Sequence, residues 1–394
     1  ITYIYHSGFL VESADAYYIF DYYRADFPVT DADKPVYVFV SHRHPDHYNP
    51  YVFEILREKK VRRMTGIISY DIKPRNYTSH MEGVEIIAAE PDKEYTLDNG
   101  AQVRTLRSTD KGVAYVVTFD DGGVPRSVYH AGDLNDWVWE GEDERVNKWM
   151  TGSYRRYLTA VEGMHFDAVM VPVDSRQGDD MFRGIEYLLE KVKADAVYPM
   201  HYWDKPEVIM QFAEKYPQYA DIIRYTEDRM DRYSVIEDKN PREIVLLRGS
   251  GCVYKKCTFC DYYSDSGKDE NVNYMINRAA LSQVTGKYGN IEIINSGSVF
   301  ELDKRTIELI KKRCAECMIH TIHFEAHYLY NNRIEELRRE FADFELKMKL
   351  GLESFDYDFR EKILHKGIPE KDPEVISRNF DEANFLFGIR GQTE

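Results

Sequence analysis

Cysteine is scarce in this sequence. Its 394 residues hold five, an odd number, three of them within nine positions and the other two at Cys314 and Cys317. That excludes a disulfide framework and reads as metal or redox chemistry in a reducing compartment, so a cytoplasmic location is expected. Basic residues are outnumbered, 52 Lys and Arg against 68 Asp and Glu, for a formal net charge of −16. A chain that acidic is not a general binder of nucleic-acid backbones, which call for a basic face; small-molecule substrates are the expected partners. Long apolar runs are missing too. None approaches the roughly 20 residues of a membrane-spanning helix and no secretory leader pattern is visible, so no membrane partner is expected. No internal repeat or low-complexity tract interrupts the sequence. Nor is there an initiating methionine: the sequence opens at Ile1 inside a strand pattern and stops at Glu394 after a glycine-rich turn, which reads as a fragment cut at both ends.

What is present is apolar and aromatic material sufficient for packed cores, 43% and 14% of residues, over a length suited to two domains. Short β-rich runs fill the first part, among them Ile1–Tyr5, Tyr17–Asp21, Val36–Val40, Gly66–Ser69 and Ala114–Thr118, with helical stretches at 51–58, 145–158, 184–193 and 206–216. The pattern predicts an α+β or αββα domain over residues 1–235. The polar run Ile-Glu-Asp-Lys-Asn-Pro then reads as a linker over 236–242. From 243 to 394 five strands (243–248, 290–295, 320–325, 346–352 and 383–388) alternate with helices, which predicts parallel βα units of α/β class.

Two constellations carry chemistry. Ser41-His42-Arg43-His44-Pro45-Asp46-His47 follows an apolar strand and sets four metal-capable side chains within six positions. Such a loop can load two transition-metal ions, zinc, manganese or iron, and activate water. Cys252, Cys257 and Cys260 form a C-x4-C-x2-C run after another apolar strand. Three thiolates hold three irons of a cubane and leave the fourth open; Gly249 and Gly251 let the loop turn, and Phe259 is placed to shield the cluster. A three-cysteine zinc site is the competing reading, but no His or Cys follows at finger spacing. The Cys314-x2-Cys317 pair on a helix reads first as ordinary packing and second as an auxiliary metal pair.

Residues 1–235 resemble the metallo-β-lactamase superfamily. The resemblance implies an αββα sandwich and a dinuclear centre on His42, His44, Asp46, His47, Asp133 of His-Ala-Gly-Asp, and His201, with Asp46 also counted as catalytic. His6 and Asp21 match early positions that more often support the ligands in the related lactonase-like branch, and His130 and Asp174 are alternative ligands that read first as supports. The superfamily's middle histidine is absent: that interval reads Ser108-Thr109-Asp110-Lys111-Gly112, where Asp110 stands as the substitute ligand. Trp137, Trp139 and Tyr154 are candidates for the mouth of the site.

Residues 243–394 resemble the radical S-adenosylmethionine superfamily. The resemblance implies a [4Fe–4S] cluster on the three cysteines and S-adenosylmethionine held by Asn295-Ser296-Gly297-Ser298, by Glu353 of Gly-Leu-Glu-Ser, and by the Gly388 to Gly391 turn near the adenine. It also implies reductive cleavage to a 5′-deoxyadenosyl radical and an electron donor such as flavodoxin or ferredoxin. Arg-Gly-Ser-Gly-Cys, Asp261-Tyr262-Tyr263 and Gly-Leu-Glu-Ser-Phe-Asp look most like the branch of the archaeosine synthase radical subunit and queuine lyase, which acts on 7-deazapurine bases. Glu325, taken as catalytic, and His327 are the candidate substrate contacts. Five strands against about six in the family's barrel imply a partial barrel. The rival readings are a metal or redox sensor on a non-catalytic scaffold, and two unrelated halves joined.

Overall fold

Alternation of side chains decides how the first strands pack. In the computed structural model, which describes residues 1–74, 79–203, 205–227, 232–389 and 392, the chain divides into two units, Ile1–Arg229 and Met230–Glu394.

The first unit holds two six-stranded sheets. One runs β1 (Thr2–Tyr5), β2 (Gly8–Glu12), β3 (Tyr17–Phe20), β4 (Val36–Val40), β5 (Met64–Ser69) and β6 (Glu85–Ala89) in spatial order. The other is built from β7 (Glu94–Thr96), β8 (Gln102–Arg107), β9 (Val113–Asp121), β10 (Val124–His130), β12 (Ala168–Pro172) and β14 (Val197–Met200), ordered β14-β12-β10-β9-β8-β7. Two short strands, β11 (His165–Phe166) and β13 (Lys193–Ala194), pair separately. Strand β4 is buried throughout. Val36, Val38 and Val40 pack with Val52, Phe53 and Leu56 of helix α1 (Val52–Glu58). The alternate residues face the other sheet, where Phe39 meets Tyr115 of β9 edge-on at 5.1 Å and the Tyr115 hydroxyl donates to the Val40 carbonyl. With α2 (Glu144–Leu158), α3 (Arg183–Lys191, which packs on β12) and α4 (Glu207–Lys215), this is an αββα sandwich. The sequence reading passed over β2, β7 and the short pair β11 and β13.

The second unit is one sheet, β15 (Tyr233–Ile236), β16 (Arg242–Leu247), β17 (Asn290–Asn295), β18 (Thr321–Glu325), β19 (Glu345–Glu353) and β20 (Glu382–Phe385), in that order. β16 to β20 are parallel and fall where the sequence places them, each pair joined by a helix: α5 (Glu270–Leu281), α6 (Lys304–Glu316), α7 (Ile334–Glu340) and α8 (Pro373–Ser377). This sequential βα order is a partial barrel wall. Two expectations are corrected. The first unit ends at Arg229 rather than 235, and the expected linker does not join the two units: Tyr233–Ile236 pairs antiparallel with Arg242–Val245 as an added edge strand, so that 237–241 is the loop of a hairpin inside the second unit and only Ile236 and Arg242 of the expected linker are in strands. Helix α5 begins at Glu270, three residues early, because Asp269 caps it by accepting from the amides of Asn271 and Val272. Among the described residues no helix is long and apolar enough to cross a membrane.

Candidate metal centre and cysteine cavity

In the first unit the C-terminal ends of β1, β3, β4, β10, β12 and β14 converge on one edge, because β1, β3 and β4 run parallel to one another and so do β10, β12 and β14. Each delivers one piece: His6, Asp21, the His42–His47 loop, Asp133, Asp174 and His201. His6, Asp21 and His201 all sit in the left-handed backbone region, at φ of 57°, 40° and 66°, a costly conformation for residues with a Cβ and one that collects at functional sites. Gly112 explains how the Asp110 loop comes close: it has φ of 73°, and a Cβ there would lie 1.9 Å from the Ser41 carbonyl oxygen.

The ligand-capable atoms fall into two groups, His6, Asp46, His47 and His201, and His42, His44, Asp110 and Asp133. His6 Nε2 lies 3.3 Å from Asp46 Oδ2, and His44 Nδ1 lies 3.5 Å from Asp110 Oδ2. Asp133 stands between the groups, its Oδ1 3.2 Å from His47 Nε2 and 3.5 Å from His201 Nε2, its Oδ2 3.4 Å from His42 Nε2. All seven expected ligands are therefore brought together, Asp110 included. His6, read from sequence as a support, lies among them.

His6 Nε2, His47 Nε2 and Asp133 Oδ1 are buried without a hydrogen-bond partner; the 3.2 Å approach of the last two is not aligned as a bond. Converging buried polar atoms without partners are costly unless something satisfies them, and a cation that displaces the imidazole proton does so, so the residues fit a divalent metal. Burial pushes the His42 imidazole down to about 4, which keeps it a neutral ligand. Burial also opposes charge on His47, but the carboxylates of Asp133 and Asp21 outweigh it and hold its proton well above the usual range. Burial raises Asp133 as well, yet His47, His201 and His42 around it keep it far below the ordinary carboxylate range.

The outer residues fix the rings. Asp21 accepts from the Ser41 amide and hydroxyl and lies 2.7 Å from His47 Nδ1. Asp174 Oδ2 lies 3.0 Å from His201 Nδ1. His130 donates from Nε2 to the Ser7 carbonyl and accepts the Gly132 amide at Nδ1, so both its nitrogens are engaged and it supports rather than ligates. Asp21→Asn should leave the sandwich folded and lower metal affinity about 10–100-fold, since the His47 ring loses its orienting carboxylate; metal retained through graded chelator dialysis measures this. A cavity of about 320 Å³ opens over the centre, lined in part by Trp137, Trp139, Trp203, Arg176 and Met150. Tyr154 is not at this mouth: it is buried, its hydroxyl donating to the Gly184 carbonyl.

In the second unit the C-terminal ends of β16 to β20 surround a cavity of about 370 Å³, lined by Cys252, Cys257, Phe259 and Cys260 together with Gly297, Ser298, Glu325, His327, Glu353 and Lys366. The three thiols are free. Burial pushes Cys257 up to about 11, with Lys366 opposing. The loop is tied down at both ends, by the Cys252 amide on the Ser296 carbonyl at 3.1 Å and the Thr258 amide on the Leu364 carbonyl at 3.0 Å. A Cβ at Gly297 would come within 2.9 Å of the Cys252 nitrogen, so only glycine lets these two loops meet. Three free thiols on one aromatic-edged cavity fit a cluster with one open iron.

Glu325 accepts from Asn384 Nδ2 at 2.7 Å, and burial raises its carboxyl. His327 Nε2 donates to the Lys366 carbonyl, and Tyr254 stacks on its ring at 4.6 Å. Lys366, which the sequence reading missed, pairs with Glu353 at 2.8 Å. Ser296 and Gly388 do not line the cavity. Ser296 accepts the Gly249 amide on its hydroxyl and shapes the cysteine loop, while Gly388 sits in an open turn at φ of 82°. Gly391 lies outside the described residues. Cys314 is core, and the Cys317 thiol donates to the Val284 carbonyl.

The topology and the histidine loop define the class: a metallo-β-lactamase-like sandwich followed by a radical S-adenosylmethionine domain. A queuine lyase from Clostridium spiroforme, solved bound to S-adenosylmethionine and queuine, is 44% identical over 42% of this chain and 71% of its own length, with a TM-score of 0.41. That identity over that share of the relative places the chain, by its second unit, in the radical S-adenosylmethionine family of queuine lyase. A metallo-β-lactamase fold protein from Bacillus subtilis is 17% identical over 50% of this chain and 79% of its own, with a TM-score of 0.32. An uncharacterized protein of Methanocaldococcus jannaschii is 29% identical over 164 residues, 37% of this chain; the chain spans only 44% of that relative's length. No family model matches.

Proposed function

We propose that the second unit uses a [4Fe–4S] cluster on Cys252, Cys257 and Cys260 to cleave S-adenosylmethionine and act on a 7-deazapurine base of the queuine type, and that the first unit is a dinuclear metal hydrolase. The observation that supports the reading is the cavity in which three free thiols, Gly297, Glu325 and Glu353 meet at the ends of five parallel strands. The cluster supplies the electron for sulfonium cleavage when bound. The chain's own residues position and shield. Phe259 covers the cluster side, Gly297 keeps the second loop close to Cys252, and Lys366 neutralises Glu353 at the back of the cavity. Glu325, whose carboxyl burial pushes above its ordinary range, faces the polar edge of the base, steadied by Asn384.

In the first unit the residues of the centre would hold a divalent metal that, when bound, would supply a water of lowered pKa as nucleophile. His6, Asp46, His47 and His201 would hold one ion, and His42, His44 and Asp110 the other, with Asp133 reaching both. Asp21 and Asp174 keep His47 and His201 aimed.

The test is anaerobic reconstitution with iron and sulfide, then incubation with dithionite, S-adenosylmethionine and queuine. About four irons per chain, and 5′-deoxyadenosine release that queuine accelerates, are expected. Release at the same rate without any base would sink the substrate assignment, and failure to hold iron would sink the cluster.

A further inference from the structure

The walls of the metal cavity hold an unusual set of side chains that the metal does not need. Trp137 and Trp139 lie parallel, their ring centroids 5.8 Å apart and their planes 2° from one another. Trp137 is fixed by its indole N–H, which donates to the Asp133 carbonyl at 2.9 Å. Trp203 packs on the His6 ring at 4.4 Å and keeps over a third of its surface exposed. The Arg176 guanidinium reaches between them, 5.0 Å from the Trp203 ring and 5.8 Å from the Trp139 ring.

Arg176 is anchored from behind. Its Nε and Nη2 grip both oxygens of the fully buried Asp174, the same carboxylate that orients His201. One carboxylate therefore holds both a ligand of the centre and the cation at its mouth. Half of the Arg176 side chain remains exposed toward the cavity it lines. Flat indoles take flat rings, with base–aromatic stacking contributing of order 1–3 kcal/mol per ring. An anchored guanidinium takes a carboxylate or phosphate in planar geometry. A bare cation on this cavity would be opposed by the arginine, which excludes the ammonium cage that three tryptophans would otherwise build.

We propose that the first unit takes a nucleoside phosphate ester: the base stacks on the Trp139 and Trp203 side of the cavity, Arg176 holds a phosphate oxygen, and the ester phosphorus faces the metal pair. This rests on the reading of the first unit as a metal hydrolase. Hydrolysis there consumes one water. Its oxygen bonds to phosphorus, the P–O bond to the ester oxygen breaks, and the water's proton passes to the departing oxygen, giving a phosphate and an alcohol.

Binding decides it, read by quenching of tryptophan fluorescence in the zinc-loaded full chain. The probes are guanosine 5′-monophosphate (ring and anion), guanosine (ring alone) and ribose 5-phosphate (anion alone). The nucleotide is expected to bind at least ten-fold more tightly than either other probe. Trp139→Ala should bring the nucleotide down to the ribose 5-phosphate value, and Arg176→Gln down to the guanosine value. Trp139→Phe should restore most of the preference, which separates stacking from a folding defect. A nucleotide no tighter than ribose 5-phosphate, or no binding of any probe, overturns the proposal. Zinc content measured on the same samples separates the failures: without zinc the hydrolase reading itself falls, whereas zinc with equal affinities defeats only the substrate class.

Discussion

Asp133→Asn should empty the first unit of metal. The Asp133 carboxylate is the group that approaches both ligand clusters, His47 and His201 through Oδ1 and His42 through Oδ2. Asparagine keeps the shape but offers one oxygen and no charge, leaving the imidazoles around two cations without their shared anion. The loss should exceed the roughly 10–100-fold that an outer partner costs, so that stoichiometric metal falls to trace under gentle dialysis. The fold should survive. The Asp133 backbone carbonyl, not its side chain, receives the Thr109 hydroxyl and the Trp137 indole N–H. Elemental analysis beside a thermal melt reads both outcomes, and a folded variant with undiminished metal would remove Asp133 from the centre.

Cys257→Ala should abolish the cluster in the second unit. Three thiolates are the least that hold a cubane with one free iron, and no other cysteine lines that cavity: Cys314 is packed in the core and Cys317 points to the Val284 carbonyl. The loop itself has other moorings. The Val253 amide donates to Glu301 at 2.7 Å, and Thr258 bonds the Ile363 and Leu364 carbonyls. Iron and sulfide should therefore drop to background, with the broad visible absorption and 5′-deoxyadenosine release, while the far-ultraviolet spectrum stays that of the wild type. A variant that keeps its colour would show that the cluster sits elsewhere.

How much of this was legible beforehand follows from whether the signal was local. The His42–His47 loop and the cysteine run are contiguous, and each follows a strand whose apolar run is unmistakable, so both were readable from spacing alone. Asp110 could be placed because an interval lacked the residue expected in it. His6 was legible only as a support: nothing local marks a histidine after a short strand as a ligand, and its place among the candidate ligands arises only when β1 and β14 are brought side by side, the His201 amide donating to the His6 carbonyl. Trp203, Arg176 and Lys366 were invisible for the same reason. Strand β15 was misread because both of its central residues are exposed, so no alternation marks it; its strand character comes from the pairing offered by β16.

The ligands of the first centre run from residue 6 to residue 201, almost the whole sandwich. No partial chain emerging during synthesis holds a complete site, because the last imidazole arrives with the last strand of the second sheet. Metal capture would thus report on finished folding. A nick or truncation that detaches either the opening hairpin or the final strand should release the ion as cleanly as removing a ligand.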